Sequence, residues 1–268
     1  MHLMETHIDM MGREVNLHKR SNLNVVSLVP SQTELLYELG LAKQVIGQTR
    51  FCIHPEEEYK SEKFIGGTKQ LNIAKILKLN PDLIIANKEE NDKNQIEELE
   101  KLFPVWISDI ANLNDNQKMI TSLGEIFKVS GQASWINQQI NMSFSLLGAR
   151  LKEPKTCLYL IWRKPYMTVG SDTFIDSILT RGGFVNVIKE KRYPELTAVE
   201  MHALNPEIIF MSSEPYPFKE NHIEELRVYF PESEIKLVNG ELFSWYGSRL
   251  IQTPSYLLEL NKALQANA

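Results

Sequence analysis

Apolar residues along this chain follow two rhythms. Short continuous runs such as Val25-Val26-Ser27-Leu28-Val29, Leu83-Ile84-Ile85-Ala86 and Ile208-Ile209-Phe210-Met211 are what parallel strands covered on both faces require. Between the runs, apolar positions recur every three or four residues, as on the inward stripe of an amphipathic helix. The pattern predicts strands over 24–29, 83–86, 105–108, 156–162, 208–211 and 234–238, and helices over 33–39, 93–102, 172–180 and 219–229. Such alternation builds an α/β fold with parallel sheets.

The two halves repeat one another. Leu79-Asn80-Pro81-Asp82-Leu83-Ile84-Ile85 returns as Leu204-Asn205-Pro206-Glu207-Ile208-Ile209-Phe210, and Asn94-Gln95-Ile96-Glu97-Glu98-Leu99 as Asn221-His222-Ile223-Glu224-Glu225-Leu226. Each copy reads as a helix stopped by Asn-Pro, a buried strand, a polar loop at its carboxyl end, and a helix leading to another strand. Near the start, Ser31 is the expected N-cap, with Glu34 completing a capping box and Gly40 ending the helix. Residues 133–151 read as one long helix, with Ile136, Ile140, Phe144, Leu147 and Leu151 on a single face. Residues 1–22 mix charges with scattered apolar positions and are expected to be a loosely packed extension. The expected organisation is an extension over 1–23, an α/β lobe over 24–128, a helix over 129–153 and a second α/β lobe over 154–268. This amounts to two Rossmann-like α/β lobes joined by one long interlobe helix.

The segment from Val25 to Leu36, the Asn-Pro-Asp-Leu-Ile-Ile strand, the long helix and the Gly170-Ser171-Asp172 turn together resemble the helical-backbone metal receptors. These are class III substrate-binding proteins, which capture cobalamin, haem and iron–siderophore chelates for ABC importers. The resemblance spans residues 24–260. It implies a cleft between two lobes with little hinge motion, a metal chelate or corrinoid held there as a non-covalent ligand, and an ABC permease and ATPase as partners. Two departures accompany it. The family's permease-docking glutamates are answered here by Ala74 and Val199, and the aromatic residues that sandwich a corrin ring by Thr68 and Asn87. An alternative on the same fold is a cytosolic metal-chelate or tetrapyrrole carrier, sensor or chelatase-like enzyme. A scaffold whose cleft meets a protein partner is a third.

Ligands of open α/β sheets sit outside the carboxyl ends of the strands. Applied to this sequence, that rule selects Arg50, Phe51, Thr68, Lys69, Lys88 and Glu89 in the first half. In the second half it selects Trp162, Arg163, Lys164, Tyr166, Glu214, Trp245, Tyr246 and Arg249. The cations suit an anionic ligand and the aromatic rings a flat or apolar one. Glu89 and Glu214 occupy equivalent places in the repeat and are expected to face each other.

Composition narrows the remaining choices. With 29 basic against 34 acidic residues the net charge is -5, which is not the electrostatic footprint of a nucleic-acid binder. No run approaches the roughly 18 apolar residues of a membrane span, so an integral membrane protein is not expected. The start carries no secretory pattern, which points to the cytoplasm by sequence, or to the periplasm or cell surface if the family role holds. Cys52 and His54 are weak candidates for a metal, since a C-x-H pair lacks the spacing of zinc modules. The other histidines read as surface residues. The chain contains no G-x-S-x-G, P-loop or G-x-G-x-x-G motif and names no nucleophile with its base, so binding rather than catalysis is expected.

Overall fold

The computed structural model describes residues 4–148 and 154–266. Its first strands, β1 (Met4–Ile8) and β2 (Glu14–His18), form an antiparallel hairpin in the segment expected to be loose. The alternation Val15, Leu17 points both side chains inward, and both are buried. The buried Asp9 carboxylate accepts the Met11 and Arg13 N–H groups at 2.9 Å and pairs with the Arg13 guanidinium, which also reaches Glu100. A two-residue apolar period inside a charged stretch is a weak sequence signal, and packing against the first sheet decides it.

The chain divides into two units. The first comprises the residues up to Ile110, Asn114–Gln139 and Tyr246–Arg249; the second comprises Ala111–Leu113, Ile140–Trp245 and the residues from Leu250 on. In the first unit follow β3 (Val25–Ser27), α1 (Pro30–Glu38), β4 (Val45–Gln48), α2 (Ile73–Leu79), β5 (Leu83–Asn87), α3 (Lys93–Glu100) and β6 (Val105–Ser108). The strands form one parallel sheet in the order β4-β3-β5-β6. Then come α4 (Leu113–Ile126) and α5 (Ser130–Gly148), a helix whose residues pass from the first unit into the second. Ala133, Ile136, Ile140, Phe144 and Leu147 make its buried face, while Leu151 lies outside the described residues.

The second unit contains β7 (Lys155–Trp162), β8 (Tyr166–Thr168), α6 (Phe174–Arg181), β9 (Phe184–Asn186), β10 (Glu195–Leu196), α7 (Ala198–Leu204), β11 (Ile208–Ser212), α8 (Glu220–Arg227), β12 (Glu234–Val238), α9 (Glu241–Ser244) and α10 (Thr253–Ala266). Its sheet runs β10-β8-β7-β11-β12, with β9 also on β7. The parallel trio β7-β11-β12 repeats β3-β5-β6 in order and sense.

The repeated peptide does the same work in both copies. Asn80 and Asn205 close α2 and α7 in the left-handed conformation, at φ 45° and 43°, which asparagine tolerates better than most residues. The acid after the proline then grips the neighbouring strand. Asp82 accepts the Asn24 N–H at 2.9 Å, and Glu207 accepts the Thr156 N–H at 2.6 Å and its hydroxyl at 2.8 Å. Each copy thus fixes the register of its own central pair.

The capping box expected at Ser31 and Glu34 does not form. α1 starts at Pro30, whose missing N–H needs no cap, and Val29 precedes it without a side-chain bond. Ser31 and Glu34 fall inside the helix and are buried.

Candidate functional site

At the carboxyl edge of the first sheet, two asparagines organise the loops. Asn87 accepts the N–H groups of Glu89 (2.8 Å) and Glu90 (3.0 Å), and its amide donates to the Ser108 hydroxyl at 2.9 Å. Asn91 accepts the Asn87 N–H and donates to the carbonyls of Leu28 (3.2 Å) and Thr68 (3.1 Å), which joins loops from three strands. Lys69 donates to the Glu89 carbonyl at 2.5 Å. Gly66, at φ 107°, takes a backbone region that favours glycine and bends the 66–69 turn so that the Arg50 N–H donates to its carbonyl at 2.9 Å. The Arg50 guanidinium lies 5.3 Å from the centre of the exposed Phe51 ring. Arg50, Phe51, Thr68, Lys69 and Glu89 are therefore brought together, and Lys88 stands to one side on Asp109 at 2.6 Å.

The same edge takes in the distant segment Tyr246–Arg249. The Tyr246 hydroxyl lies in hydrogen-bonding range of Gln32, Ser108 and Ser31, and burial pushes its phenol well above the ordinary value, so it stays protonated. The Gly247 N–H donates to Asn116 Oδ1 at 2.6 Å. Arg249 makes a bidentate pair with Glu34, Nε to Oε2 at 2.8 Å and Nη2 to Oε1 at 2.7 Å, and both residues are buried. Tyr246 and Arg249, expected as ligand contacts, thus have internal partners. The position of Glu34 inside α1 was the one sequence signal for this, and the expected capping role concealed it.

In the second unit, Arg163 pairs with Glu225 and lies beside the hydroxyls of Tyr216 and Tyr166; the Glu225 bond raises its basicity further. Trp162, 41% exposed at the end of β7, meets Tyr216 edge-on with ring centres 5.6 Å apart. Tyr216 packs on Phe218 and reaches His222 Nε2 at 3.3 Å. His222 accepts the Lys219 N–H through Nδ1 and is buried, which corrects its expected surface position; its place in the first turn of α8, directly after an aromatic loop, was the available clue. Trp162, Arg163 and Tyr166 are brought together around Tyr216, and Lys164 is exposed in the turn before β8. Glu214 is held apart from them: its Oε1 accepts from the Ser244 hydroxyl at 2.7 Å and from the Trp245 indole at 2.9 Å, with Trp245 buried. Glu89 and Glu214, equivalent in the repeat, thus differ in environment.

Cys52 is a buried thiol 3.1 Å from the Thr33 hydroxyl and 3.2 Å from that of Thr49, and burial pushes it up, against those hydrogen bonds. A protonated thiol is a poor ligand. Among the described residues no three His, Cys, Asp or Glu side chains form a group able to hold a metal ion, His54 included.

Polar, cation-bearing loops at the carboxyl edges of parallel sheets on a duplicated α/β chain invite comparison with known proteins. The sequence profile described as periplasmic binding protein matches residues 25–228. The chain belongs to the periplasmic binding protein family. It is similar to the vitamin B12-binding protein of Yersinia pestis (strain Pestoides F), 25% identical over 193 residues covering 70% of this chain and 69% of that one. Its fold matches the periplasmic vitamin B12 binding protein of Vibrio cholerae at a TM-score of 0.77, with 22% identity over 91% of this chain and 98% of that one. It also matches the apo periplasmic heme-binding protein of Roseiflexus sp. RS-1 at 0.78, with 18% identity over 90% of this chain and 97% of that one. The resemblance carried by residues 25–36 and by the repeat is borne out. The relatives compared are binding proteins. No helix among the described residues is long and apolar enough to cross a membrane.

Proposed function

We propose that this chain is the ligand-binding component of an importer for a metal chelate carrying a flat ring, of corrinoid or tetrapyrrole type, or for an iron–siderophore. The observation that carries the reading is the pairing of exposed aromatic faces with cations at the carboxyl edges of the sheets: Phe51 under Arg50 with Lys69 nearby, and Trp162 beside Arg163 and Lys164. An exposed ring offers dispersion contact to a planar ligand, and the adjacent cations attract its carboxylates. Thr68 and Glu89 belong to the first of these patches and Tyr166 to the second, while Lys88 is paired with Asp109. Glu214 and Trp245 bond each other, and Tyr246 and Arg249 bond Gln32 and Glu34, so these four stand outside both patches. Residence in the periplasm or at the cell surface belongs to this reading.

The test is equilibrium titration of the purified chain with cyanocobalamin, haemin and a ferric catecholate. One of the three is expected to bind saturably, with Phe51→Ala or Trp162→Ala weakening it at least tenfold while the unfolding midpoint holds. Absence of binding to all three overturns the proposal.

One observation favours a second reading, a cytosolic carrier, sensor or chelatase-like enzyme. Ala74 on α2 and Val199 on α7 are exposed and offer no carboxylate, and the neighbouring Glu200 is engaged in the capping box with Thr197 at 2.7 Å. Cell fractionation separates the two readings, since protein confined to the soluble cytoplasm excludes import.

A further inference from the structure

Helix α5 is unusual in a chain that is 24% charged. Its 19 residues, Ser130–Gly148, contain no Asp, Glu, Lys or Arg. One face is buried. Away from it lie three large apolar side chains exposed to solvent, Trp135 at 48%, Met142 at 62% and Leu146 at 62%. With the half-buried Gln139 they form a line at successive spacings of four, three and four, the seam of a two-helix coiled coil. From Trp135 to Leu146 the seam runs about 16 Å.

We propose that this seam is a self-association surface, on which a second copy of the chain packs its own α5 antiparallel across a two-fold axis. Three observations select that occupant. The spacing reads the same from either end, so a two-fold axis between residues 140 and 141 sets Trp135 against Leu146 and Gln139 against Met142 in both directions, as an isologous contact demands. The helix carries no charged side chain of its own, so the seam itself sets no like charges against each other when two copies meet. A lipid surface is disfavoured, because helices that lie on membranes carry Lys and Arg on their polar side and α5 has neither. A single helix seam is smaller than the roughly 800 Å² per partner of a stable complex, so the dimer forms only at high concentration.

Sedimentation equilibrium of the full chain from 1 μM to 1 mM is the test. The mass is expected to rise toward that of a dimer, and Met142→Glu and Leu146→Glu, both at exposed positions, to weaken association at least tenfold with unchanged circular dichroism. A short bismaleimide should link Met142→Cys copies but not Ser134→Cys copies, whose thiol lies on a different arc of the helix; the native Cys52 and Cys157 are buried. A monomer across the whole range, a dimer indifferent to both glutamates, or binding of α5 to anionic vesicles in place of pairing overturns the proposal. Ligand binding is read separately and its failure leaves this outcome untouched.

Discussion

Replacing Arg249 with alanine tests whether this residue holds the fold or faces a ligand. Its guanidinium and the Glu34 carboxylate are joined by two charge-assisted bonds of 2.8 and 2.7 Å, with only 9% and 12% of the two side chains exposed. Bonds of that kind contribute about 1.5–3 kcal/mol each, and truncating one partner of a buried pair leaves the other charge uncompensated. Arg249→Ala should therefore destabilise the protein by about 3–5 kcal/mol, roughly 10 °C in midpoint for a chain of this size. Glu34→Met alone should lose a similar amount. The double variant Glu34→Met/Arg249→Met should recover to within about 1 kcal/mol of wild type, because an apolar pair of similar volume removes the desolvation cost of both ions. Urea unfolding of these variants and of Arg249→Met, followed by circular dichroism and tryptophan fluorescence, closes the cycle. A single Arg249→Ala variant within about 1 kcal/mol of wild type, or a double variant as unstable as the two losses added together, refutes the reasoning. In that case Arg249 returns to the ligand-facing set.

Leu17→Ala, in the buried face of the amino-terminal hairpin, should cost about 2–4 kcal/mol in thermal unfolding; a change near zero would restore the loose extension. The Glu207 carboxylate is held below its ordinary value by the Thr156 N–H and hydroxyl. Its contribution is present above the ordinary carboxylate range and fades as pH falls through the lowered folded value, so between pH 6 and 3 the wild type should lose more stability than Glu207→Gln, by about 0.5 kcal/mol for so exposed a group. Gly66→Ala should lose about 2 kcal/mol or more, since a side chain at φ 107° is strained and its Cβ would overlap the Gln70 carbonyl oxygen. A Gly66→Ala protein as stable as wild type would show the turn to be pliable.

Much of the fold was legible because strands and helices of a duplicated chain write the same local pattern twice. The Leu-Asn-Pro-acid peptide marked both helix ends, and the strands 105–108 and 234–238 were placed to the residue. The short β8 lies between the strand expected over 156–162 and the helix expected over 172–180, where three residues of strand carry almost no period. The rule about carboxyl edges selected Arg50, Phe51, Lys69, Trp162 and Arg163, which the structure places at those edges as two separate groups, whereas the contacts of Tyr216, His222 and Glu225 with the second group follow from packing that no spacing reveals.

The sequence by itself determined the central strands and helices of each half, the repeat and the edge at which the polar loops gather, because each of these depends on residues a few positions apart and on the preferences of Asn, Pro and Gly. Only the tertiary structure decided that Tyr246–Arg249 joins the first unit, that Glu34 meets Arg249 and not its own helix end, and that Glu214 holds Trp245. Those pairings bring together groups scattered along the chain, and the partner of a buried charge is fixed by whichever complementary group packing carries within reach.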